Sequence, residues 1–384
     1  MLLLALVSLV ACSPPWRDTS SAVDTTTCLA GLVAPDFASE GVFVEPTDGV
    51  APVVDELDHA RCTIDVGIYL LTNEDVITAL ERAAGRGVRV RVIVERYPFG
   101  GSTDTTALAS RLDAAGIEHT WSDSRFRFTH AKYIVVDRQV AIIMNMNLTA
   151  SAFKGNREFG AISTDRAVAA EAQAIFDGDW NGDPVEHPQG PLILSPDNSR
   201  QRFLDLIDGA STSIDLYVEV INDPEIINAL GYAAQAGVRV RLIVNAPTDD
   251  TARTIYAAMT RSGIEVRVLS RLYVHAKVMV LDGTIAVVGS QNFTPTSLDN
   301  NREVALVVRS PGAVARAQAV FVQDWSNASP IGGATGSPTS AAAPAWTRLA
   351  SRPDPLLARD ASARTILGIR NPGSASEKMV PLPC

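Results

Sequence analysis

The pattern of hydrophobic and polar positions occurs twice along the chain, with strand-like and helix-like spacing in the same order each time. In each half an apolar run of strand length, Thr63–Leu71 or Ser213–Ile221, leads into a stretch with helical spacing. The next strand reads GVRVRVIV at 87–94 or GVRVRLIV at 237–244, where a period of two gives way to an unbroken apolar run. This change is typical of a strand that enters a buried sheet.

Helical stretches separate these strands. After the second helix of each half, the pattern predicts a short strand, a further strand, a tight turn and a last strand. Strands that alternate with helices favour α/β layers in which the helices cover the sheet. We therefore predict two tandem, similar α/β/α sandwich domains related by pseudo-twofold symmetry. The predicted helices are Glu74–Ala84, Thr105–Ala115, Pro224–Gln235 and Thr251–Arg261, and the predicted turns are Asp137-Arg138 and Asp282-Gly283.

A constant offset relates the two halves. Ile64-Asp65 matches Ile214-Asp215 at an offset of 150. Self-similarity at this period indicates duplicated domains rather than a solenoid. The Pro- and Gly-rich segment Asp183–Pro191 is the natural joint between them. The predicted segments are a signal peptide (1–12), a flexible tether (13–40), a first domain (41–183), a second domain (184–328) and a low-complexity tail (329–384).

The first residues resemble an export signal. Met1–Ala11 reads MLLLALVSLVA and is followed by Cys12, as in the bacterial lipobox, although no Lys or Arg precedes the apolar run. The run is too short to span a bilayer. We expect an exported bacterial lipoprotein anchored through lipidated Cys12, on the periplasmic face or the cell surface. A plain cleaved signal or a buried strand is the alternative.

The remaining cysteines are odd in number. If Cys12 is lipidated, Cys28, Cys62 and Cys384 remain in an oxidising compartment, so at most one intramolecular disulfide can form. A bridge between Cys28 and Cys384 is one possibility, and the sequence does not decide the pairing. No cysteine or histidine cluster has the spacing of zinc ligands.

The composition and net charge indicate which classes of binding partner are favoured. The 384 residues are 46% hydrophobic and 20% charged, as in an ordinary globular protein. The formal net charge is −10. Proteins that bind phosphate backbones usually carry a basic balance or a basic patch, so this charge weighs against a nucleic-acid partner without excluding a local basic cluster.

Two copies of a His-x-Lys-x4-Asp motif carry the candidate chemistry. They read HAKYIVVD at His130–Asp137 and HAKVMVLD at His275–Asp282. Residues two apart on a strand share a face, so each His and its Lys are expected to point into the same space. The motifs use two of the chain's four lysines. A pair of core strands with incidental polar residues is a poor alternative, because buried, unpaired Lys and His would be unfavourable.

With these motifs the chain resembles the phospholipase D superfamily over about residues 40–328. Each half of that family usually continues with Gly-Ser-x-Asn and then a glutamate. The second half has this pattern in Gly289–Asn292 and Asn301–Glu303.

The first half departs from the family pattern at two positions. It keeps Asn147 and Asn156–Glu158 but has Met144 and Asn145 in place of Gly and Ser. We expect this departure to weaken a phosphate contact or to alter the pocket wall.

The chemistry explains why two motifs are needed. Displacement at a phosphodiester needs a nucleophile on one side of phosphorus and a proton donor for the leaving oxygen on the other. Two histidines that face each other across the domain interface supply both, and no metal or other cofactor is then required. The resemblance implies a phosphohistidine intermediate. We expect His130 to be the nucleophile and His275 the general acid, or the reverse because the halves are nearly symmetric.

Further residues are expected to support the two histidines. Glu158 and Glu303 are expected to orient the imidazoles through their second nitrogen. Asp137 and Asp282 are counted with the catalytic groups, although each either touches the site or only braces its turn. The residues expected to hold the phosphate oxygens are Lys132, Lys277, Asn147, Asn292 and, from the family pattern, Ser290.

The resemblance leaves the substrate open, because the superfamily includes phospholipases, phosphatidyl-transferring synthases and nucleases. A lipid anchor would hold the enzyme at a phospholipid surface, and two complete motifs in one chain are the arrangement of the lipid-acting members. We therefore expect a monomer that hydrolyses or transfers the phosphatidyl group of phospholipids. A metal-independent nuclease and a non-catalytic membrane-tethered scaffold are the alternatives.

One segment bears on the nuclease alternative. Arg125-Phe126-Arg127-Phe128 leads into the first motif and interleaves cations with aromatic rings, as a surface for single-stranded nucleic acid does. The favoured interpretation is a strand with Phe126 and Phe128 facing inward.

Overall fold

The computed structural model of the chain describes residues 24–33, 38–99, 105–185 and 190–331. The predictions about the signal segment with Cys12, the tether before residue 24, Cys384 and the tail after residue 331 lie outside these residues.

The first half contains seven strands and six helices among the described residues. After a short helix that precedes the sheet, strands and helices alternate as the pattern predicts. The elements are α1 (Thr25–Ala30), β1 (Glu40–Glu45), α2 (Ala51–His59), β2 (Thr63–Ile68), α3 (Glu74–Gly85), β3 (Arg89–Val94), α4 (Thr105–Ala114), β4 (Glu118–Trp121), β5 (Lys132–Val136), β6 (Val140–Met144), α5 (Ala150–Lys154), β7 (Asn156–Ser163) and α6 (Arg166–Asn181).

The second half repeats this order and adds two very short strands. The elements are β8 (Leu192–Ser195), α7 (Ser199–Asp208), β9 (Ser213–Tyr217), α8 (Pro224–Gln235), β10 (Arg239–Val244), α9 (Asp250–Arg261), β11 (Glu265–Val268), β12 (Tyr273–Val274), β13 (Val278–Leu281), β14 (Ile285–Gly289), α10 (Pro295–Asp299), β15 (Glu303–Val308), α11 (Pro311–Asn327) and β16 (Ser329–Pro330).

The two sheets have the same central strand order. The first runs β1-β7-β6-β5-β2-β3-β4 and the second runs β16-β11-β10-β9-β13-β14-β15-β8. In both, the three strands of the βαβ units are parallel and the motif strand pairs antiparallel with the first of them. The predicted fold class, two similar α/β domains in tandem, is confirmed.

One hydrophobic core joins the inner faces of the two halves. The same cluster of buried residues contains Tyr133 and Phe159 from the first sheet and Tyr217 and Phe321 from the second half. The ring centroids of Phe159 and Tyr217 are 5.3 Å apart. Because this core is continuous, the two motif strands are held in one fixed relation.

The strands that open each βαβ unit end earlier than the apolar runs predict. The run Thr63–Leu71 is a strand only as far as Ile68, and Ser213–Ile221 only as far as Tyr217. A few residues beyond each strand end, the backbone pairs again in an isolated β-bridge, Leu71 with Leu148 and Ile221 with Phe293. Tyr69 and Glu219 lie between the strand end and the bridge, next to His130 and Lys277 respectively.

A disulfide fastens the first helix to the body. Cys28 in α1 is bonded to Cys62, which immediately precedes β2, and their Cα atoms are 5.7 Å apart. This pairing replaces the bridge between Cys28 and Cys384 that the sequence left possible. Cys62 is completely buried, so α1 is held directly against the first domain.

Candidate active site

Each motif histidine is held in place by the backbone of the other half. Thr129 forms a parallel bridge with Arg302, and the His130 N–H donates to the Arg302 carbonyl at 2.9 Å. In the symmetric arrangement β12 pairs with β7, and the His275 N–H donates to the Arg157 carbonyl at 3.3 Å. These exchanged bridges bring both histidines to the junction of the two sheets.

A glutamate from the opposite half engages each imidazole. His130 Nδ1 lies 2.9 and 3.0 Å from the two carboxylate oxygens of Glu303, and His275 Nδ1 lies 2.8 Å from Glu158 Oε2. Both glutamates are completely buried. Because Nδ1 is engaged in each ring, Nε2 is the nitrogen that each ring can present to a substrate.

Asparagines fix the two glutamates in turn. Asn156 Nδ2 donates to Glu158 at 3.0 Å, and Asn301 Nδ2 donates to Glu303 at 3.0 Å. Ser297 Oγ adds a 2.6 Å bond to Glu303 Oε1. The orientation of each histidine therefore rests on a chain of contacts that crosses the interface.

Both motif lysines lie beside their histidines. The Nζ groups of Lys132 and Lys277 donate to the carbonyl oxygens of His130 and His275, the second at 2.7 Å. Burial lowers the pKa of Lys132 to about 7, and the positive charge of Lys277 adds to this effect against the opposing charge of Glu303. Both lysines are thus buried beside their histidines, where an anionic phosphate would offset the cost of burying a positive charge.

The His130 imidazole is poised in its neutral form. Burial lowers its pKa to about 4, with the charge of Lys132 acting in the same direction and that of Glu303 opposing it. A neutral imidazole with Nδ1 held by a carboxylate has a lone pair at Nε2, which is what a nucleophile needs.

The sequence reasoning missed the two residues at the broken strand ends. Glu219 Oε2 lies 2.7 Å from Lys277 Nζ and 3.5 Å from His275 Nε2. Tyr69, at the matching position of the first half, places its ring centroid 4.7 Å from that of His130. Both positions lay within predicted strands, and the available signal was Glu219, an acid in an apolar run that has no acidic counterpart in the first half.

The family model described as "Cardiolipin synthase, PLD-like domain" matches residues 53–180 and 203–325. The chain belongs to this phospholipase D-like family. The two matched segments coincide with the two halves, each with one His-Lys motif, so the resemblance to the phospholipase D superfamily is confirmed.

Similar proteins include cardiolipin synthases. The chain is 26% identical over 336 residues to a cardiolipin synthase of Geobacillus thermodenitrificans, a match that covers 76% of this chain and 66% of that protein. It is 26% identical over 318 residues to cardiolipin synthase B of Salmonella typhimurium, covering 69% of this chain and 75% of the other. The chain thus spans about two thirds to three quarters of these relatives' length.

A solved structure shares the fold. Phosphatidylserine synthase from Haemophilus influenzae superposes with a TM-score of 0.62 at 13% identity, over 85% of this chain and 93% of that one. Among the residues described in the present structure, no helix is both long and apolar enough to cross a membrane.

In this phospholipase D-like chain the departure at Asn145 is structurally compensated. Asn145 Oδ1 accepts from the Phe159 N–H at 2.9 Å, and Ser290 Oγ accepts from the Val304 N–H at 3.2 Å. Both side chains are fully buried, and each fixes the residue that follows a site glutamate. Ser290 is thereby engaged with the protein backbone, whereas the sequence pattern suggests a contact with substrate.

The asparagines at 147 and 292, which fit the family pattern, differ in their partners. Asn292 Nδ2 lies 3.4 Å from Glu219 Oε2, and its Oδ1 accepts from the Val220 N–H at 3.3 Å. Asn147 Oδ1 is buried with no hydrogen-bond partner in the described part of the chain. Both asparagines lie on the loop that follows the strand beside the motif strand.

Asp137 and Asp282 brace the loops before β2 and β9. Asp137 accepts from the backbone N–H groups of residues 61–63 at 2.7 to 2.9 Å. Asp282 accepts from those of residues 211–213 and from two hydroxyls. Each aspartate also has a positive φ in the turn that ends the motif strand. These contacts match the bracing alternative for both residues.

Buried ion pairs cross the interface on either side of the site. Arg157 binds Asp324 at 2.7 and 3.1 Å, and Arg302 binds Asp179 at 2.9 and 3.2 Å. Each arginine immediately precedes a site glutamate, and each aspartate lies on the last long helix of the other half. Repetition of Asp-Trp at 179–180 and 324–325 was the sequence signal for this pair.

The Arg125–Phe128 segment is a turn, not the predicted strand. Both phenylalanines face inward as expected: Phe126 lies under the Arg302 guanidinium at 4.1 Å, and Phe128 packs edge-on against Tyr69 at 6.0 Å. Arg125 and Arg127 are exposed. The Phe126 ring therefore supports Arg302, the residue before Glu303, and the Phe128 ring supports Tyr69.

Proposed function

We propose that the protein is a phosphodiesterase of the phospholipase D type, which hydrolyses or transfers the phosphatidyl group of phospholipids through a phosphohistidine intermediate. The observation that carries this proposal is the pair of imidazoles at one interface, each with Nδ1 on a buried glutamate of the opposite half. Two buried lysines accompany them.

In the first step His130 Nε2 attacks phosphorus. The nitrogen lone pair forms the N–P bond, the P–O bond to the head-group alcohol breaks, and its electron pair remains on that oxygen. His275 donates a proton to the oxygen, so the alcohol leaves neutral. Glu303 stabilises the positive charge that develops on the His130 ring.

In the second step water or an alcohol replaces the histidine. His275, now unprotonated, accepts the proton of the incoming hydroxyl, the new O–P bond forms, and the N–P bond returns its pair to His130. Lys132 and Lys277 face the negative charge on the non-bridging oxygens in both steps. In this proposal Asn147 and Asn292 contribute further polar contacts to those oxygens.

The lipid substrate is supported by three observations. The similar proteins are named cardiolipin synthases. The loop after β3 contains Tyr97 and Phe99, which are 71% and 42% exposed, and the Phe99 N–H donates to the Tyr69 hydroxyl. Exposed aromatic rings of this kind insert at membrane interfaces. The formal charge of −10 disfavours long polyanions.

A metal-independent nuclease is the second candidate. The exposed Arg125 and Arg127 beside the first motif favour it, since exposed arginines suit a phosphate backbone. They are two cations on an acidic protein, and the aromatic rings between them are packed inward. This arrangement offers no stacking platform for bases.

We also propose that the protein is exported, held at a membrane surface through Cys12, and monomeric. Support comes from the apolar segment before Cys12 and from the Cys28–Cys62 disulfide, which suits an oxidising compartment. Both half-sites lie in one chain, so a second copy is not needed to complete the site.

The test compares substrate classes with one purified protein. Phosphatidylglycerol and phosphatidylcholine vesicles are incubated with wild type and with His130→Ala, and plasmid and single-stranded DNA are tested in parallel. Head-group release that disappears in the variant supports the proposal. DNA cleavage with inert vesicles would overturn it in favour of the nuclease. Inactivity of both proteins on all substrates would favour a scaffold, and added ethanol reports transfer through phosphatidylethanol.

A further inference from the structure

We propose that Glu219 is a positioning residue that makes the two half-sites chemically unequal, because its carboxylate holds Lys277 and the ring of His275 in the proton-donating half. This inference rests on the proposed function for its reaction steps and adds a residue that the His-Lys motif does not contain.

Four groups converge on the Glu219 carboxylate. Oε2 lies 2.7 Å from Lys277 Nζ, 3.4 Å from Asn292 Nδ2 and 3.5 Å from His275 Nε2. Oε1 accepts from the Tyr273 hydroxyl at 2.9 Å. The residue is 7% exposed, so these contacts replace water around a buried charge.

The carboxylate stays ionised in this environment. Burial alone would raise its pKa, but the positive charges of His275 and Lys277 outweigh burial and lower the pKa of Glu219 to about 2. Lys277 is therefore paired with an anion at every pH at which the enzyme is expected to work.

The first half has an aromatic ring at this position. Tyr69 matches Glu219 at the 150-residue offset, and its ring lies 5.0 Å from Lys132 Nζ. Its hydroxyl accepts from the Phe99 N–H, so it points away from the lysine and toward the loop after β3. The residue that contacts this position also differs between the halves. In the second half Tyr273 binds Glu219, and the matching residue of the first half, Phe128, packs on Tyr69.

The two histidines consequently meet different charges. His275 faces Glu158 from β7 and Glu219 from the end of β9, with Lys277 on its own segment. His130 faces Glu303 and has the ring of Tyr69, in an edge-type contact, where His275 has a carboxylate. A second carboxylate stabilises an imidazolium, the form that donates a proton, so the second half is built as the acid.

This difference can be measured through the leaving group. An alkoxide must be protonated as it leaves, whereas p-nitrophenolate is stable without a proton. Phosphatidylcholine and phosphatidyl-p-nitrophenol present the same phosphatidyl group with these two leaving groups. Loss of a residue that supports the proton donor should therefore affect the first substrate and largely spare the second.

The test uses the full chain with Glu219→Gln. We expect turnover of phosphatidylcholine to fall about 100-fold and turnover of phosphatidyl-p-nitrophenol to fall less than about 10-fold, since general acid catalysis contributes factors of this size. Glu219→Asp keeps the charge and should restore part of the phosphatidylcholine turnover. An equal loss on both substrates would show that Glu219 only supports the fold and would overturn the inference.

Controls separate the possible failures. Glu225→Gln makes the same chemical change on the exposed start of α8 and should leave both activities unchanged. If Glu219→Gln does not fold, Tyr273→Phe removes one bond to the carboxylate and should show the same selectivity on a smaller scale. Equal losses on both substrates in that variant also overturn the inference.

A second pair of substrates tests the role of Glu219 if the protein does not act on lipids. If wild type cleaves neither lipid, the lipid assignment fails. The leaving-group comparison is then made with thymidine 5′-p-nitrophenyl phosphate and thymidylyl thymidine. A selective loss on the dinucleotide would support the role of Glu219, and equal losses would overturn it.

Discussion

Lys132 and Lys277 occupy matching places in the two halves but have different neighbours. Lys277 is bound to a carboxylate at 2.7 Å, whereas Lys132 faces the ring of Tyr69 at 5.0 Å. The supporting parts around them are nearly identical, since each histidine has its cross-half glutamate and each glutamate has its asparagine. The two halves therefore share the glutamates and asparagines that orient the histidines. They differ in the residue beside the motif lysine, which is Tyr69 in one half and Glu219 in the other.

The largest expected effect separates the two histidines. His130→Ala should lower turnover of phosphatidylcholine on the order of 10⁴- to 10⁶-fold, because it removes the proposed nucleophile. His275→Ala should lower it roughly 10²- to 10⁴-fold, the range for general acid–base catalysis. Quenching in an alkaline denaturant, in which the N–P bond of a phosphohistidine survives, after incubation with phosphatidyl-p-nitrophenol labelled with ³²P should show labelled protein in His275→Ala and none in His130→Ala. Label found only in His130→Ala would mean that the two roles are exchanged.

The next prediction concerns the parts that the halves share. Arg157→Met should lower the free energy of unfolding by about 3–5 kcal/mol, because it leaves Asp324 buried without its partner. Arg302→Met should have a similar effect through Asp179. Urea unfolding measures both, and the double change Arg157→Met with Asp324→Leu should recover part of the loss. A loss below about 1 kcal/mol in either single variant would contradict the view that these pairs hold the interface.

The sequence predicted the duplication, the order of the elements and both motifs, because these depend on local periodicity and spacing. It did not predict which glutamate meets which histidine. Glu303 is 173 residues from His130 and Glu158 is 117 residues from His275, and local patterns contain no information on such pairing. The exchange between halves became visible only with the bridge of Thr129 to Arg302 and the pairing of β12 with β7.

The strand ends were the other source of error. Val, Ile and Leu around positions 69 and 219 continue the apolar run, so periodicity extends each strand through the residue that faces the site. The break depends on tertiary contacts with Leu148 and Phe293, which lie on the loops after β6 and β14. Glu219 was therefore placed in a strand, and its contact with Lys277 went unpredicted.

The pH dependence should distinguish the two lysines. Burial lowers the pKa of Lys132 to about 7, so the charged form that binds an anionic substrate is present below this pH and is lost above it. Burial also lowers the pKa of His130 to about 4, so the neutral nucleophile is present above pH 4. The value of kcat/KM should accordingly rise through about pH 4 and decline above about pH 7.

Arginine replacements test this assignment. Lys132→Arg keeps its charge throughout the range, so the decline above pH 7 should disappear whatever the height of the plateau. Lys277→Arg should retain the decline, because Lys132 is unchanged in that variant. A decline at the same pH in Lys132→Arg would assign it to another group and would remove this part of the difference between halves.

The smallest expected effect lies in the support of the two glutamates. Glu303 receives a hydroxyl bond from Ser297 at 2.6 Å, and the matching residue of the first half is Ala152, which has no hydroxyl to offer Glu158. Ser297→Ala removes one hydrogen bond to a buried carboxylate, which corresponds to about 1 kcal/mol. We expect kcat for phosphatidylcholine to fall about five-fold, because His130 is then less firmly oriented. Thr254→Ala is the control: it removes an exposed hydroxyl hydrogen bond on α9 and should not change kcat. If Ser297→Ala leaves kcat unchanged, Asn301 and His130 suffice to hold Glu303, and the two glutamates are equivalent in function despite their unequal partners.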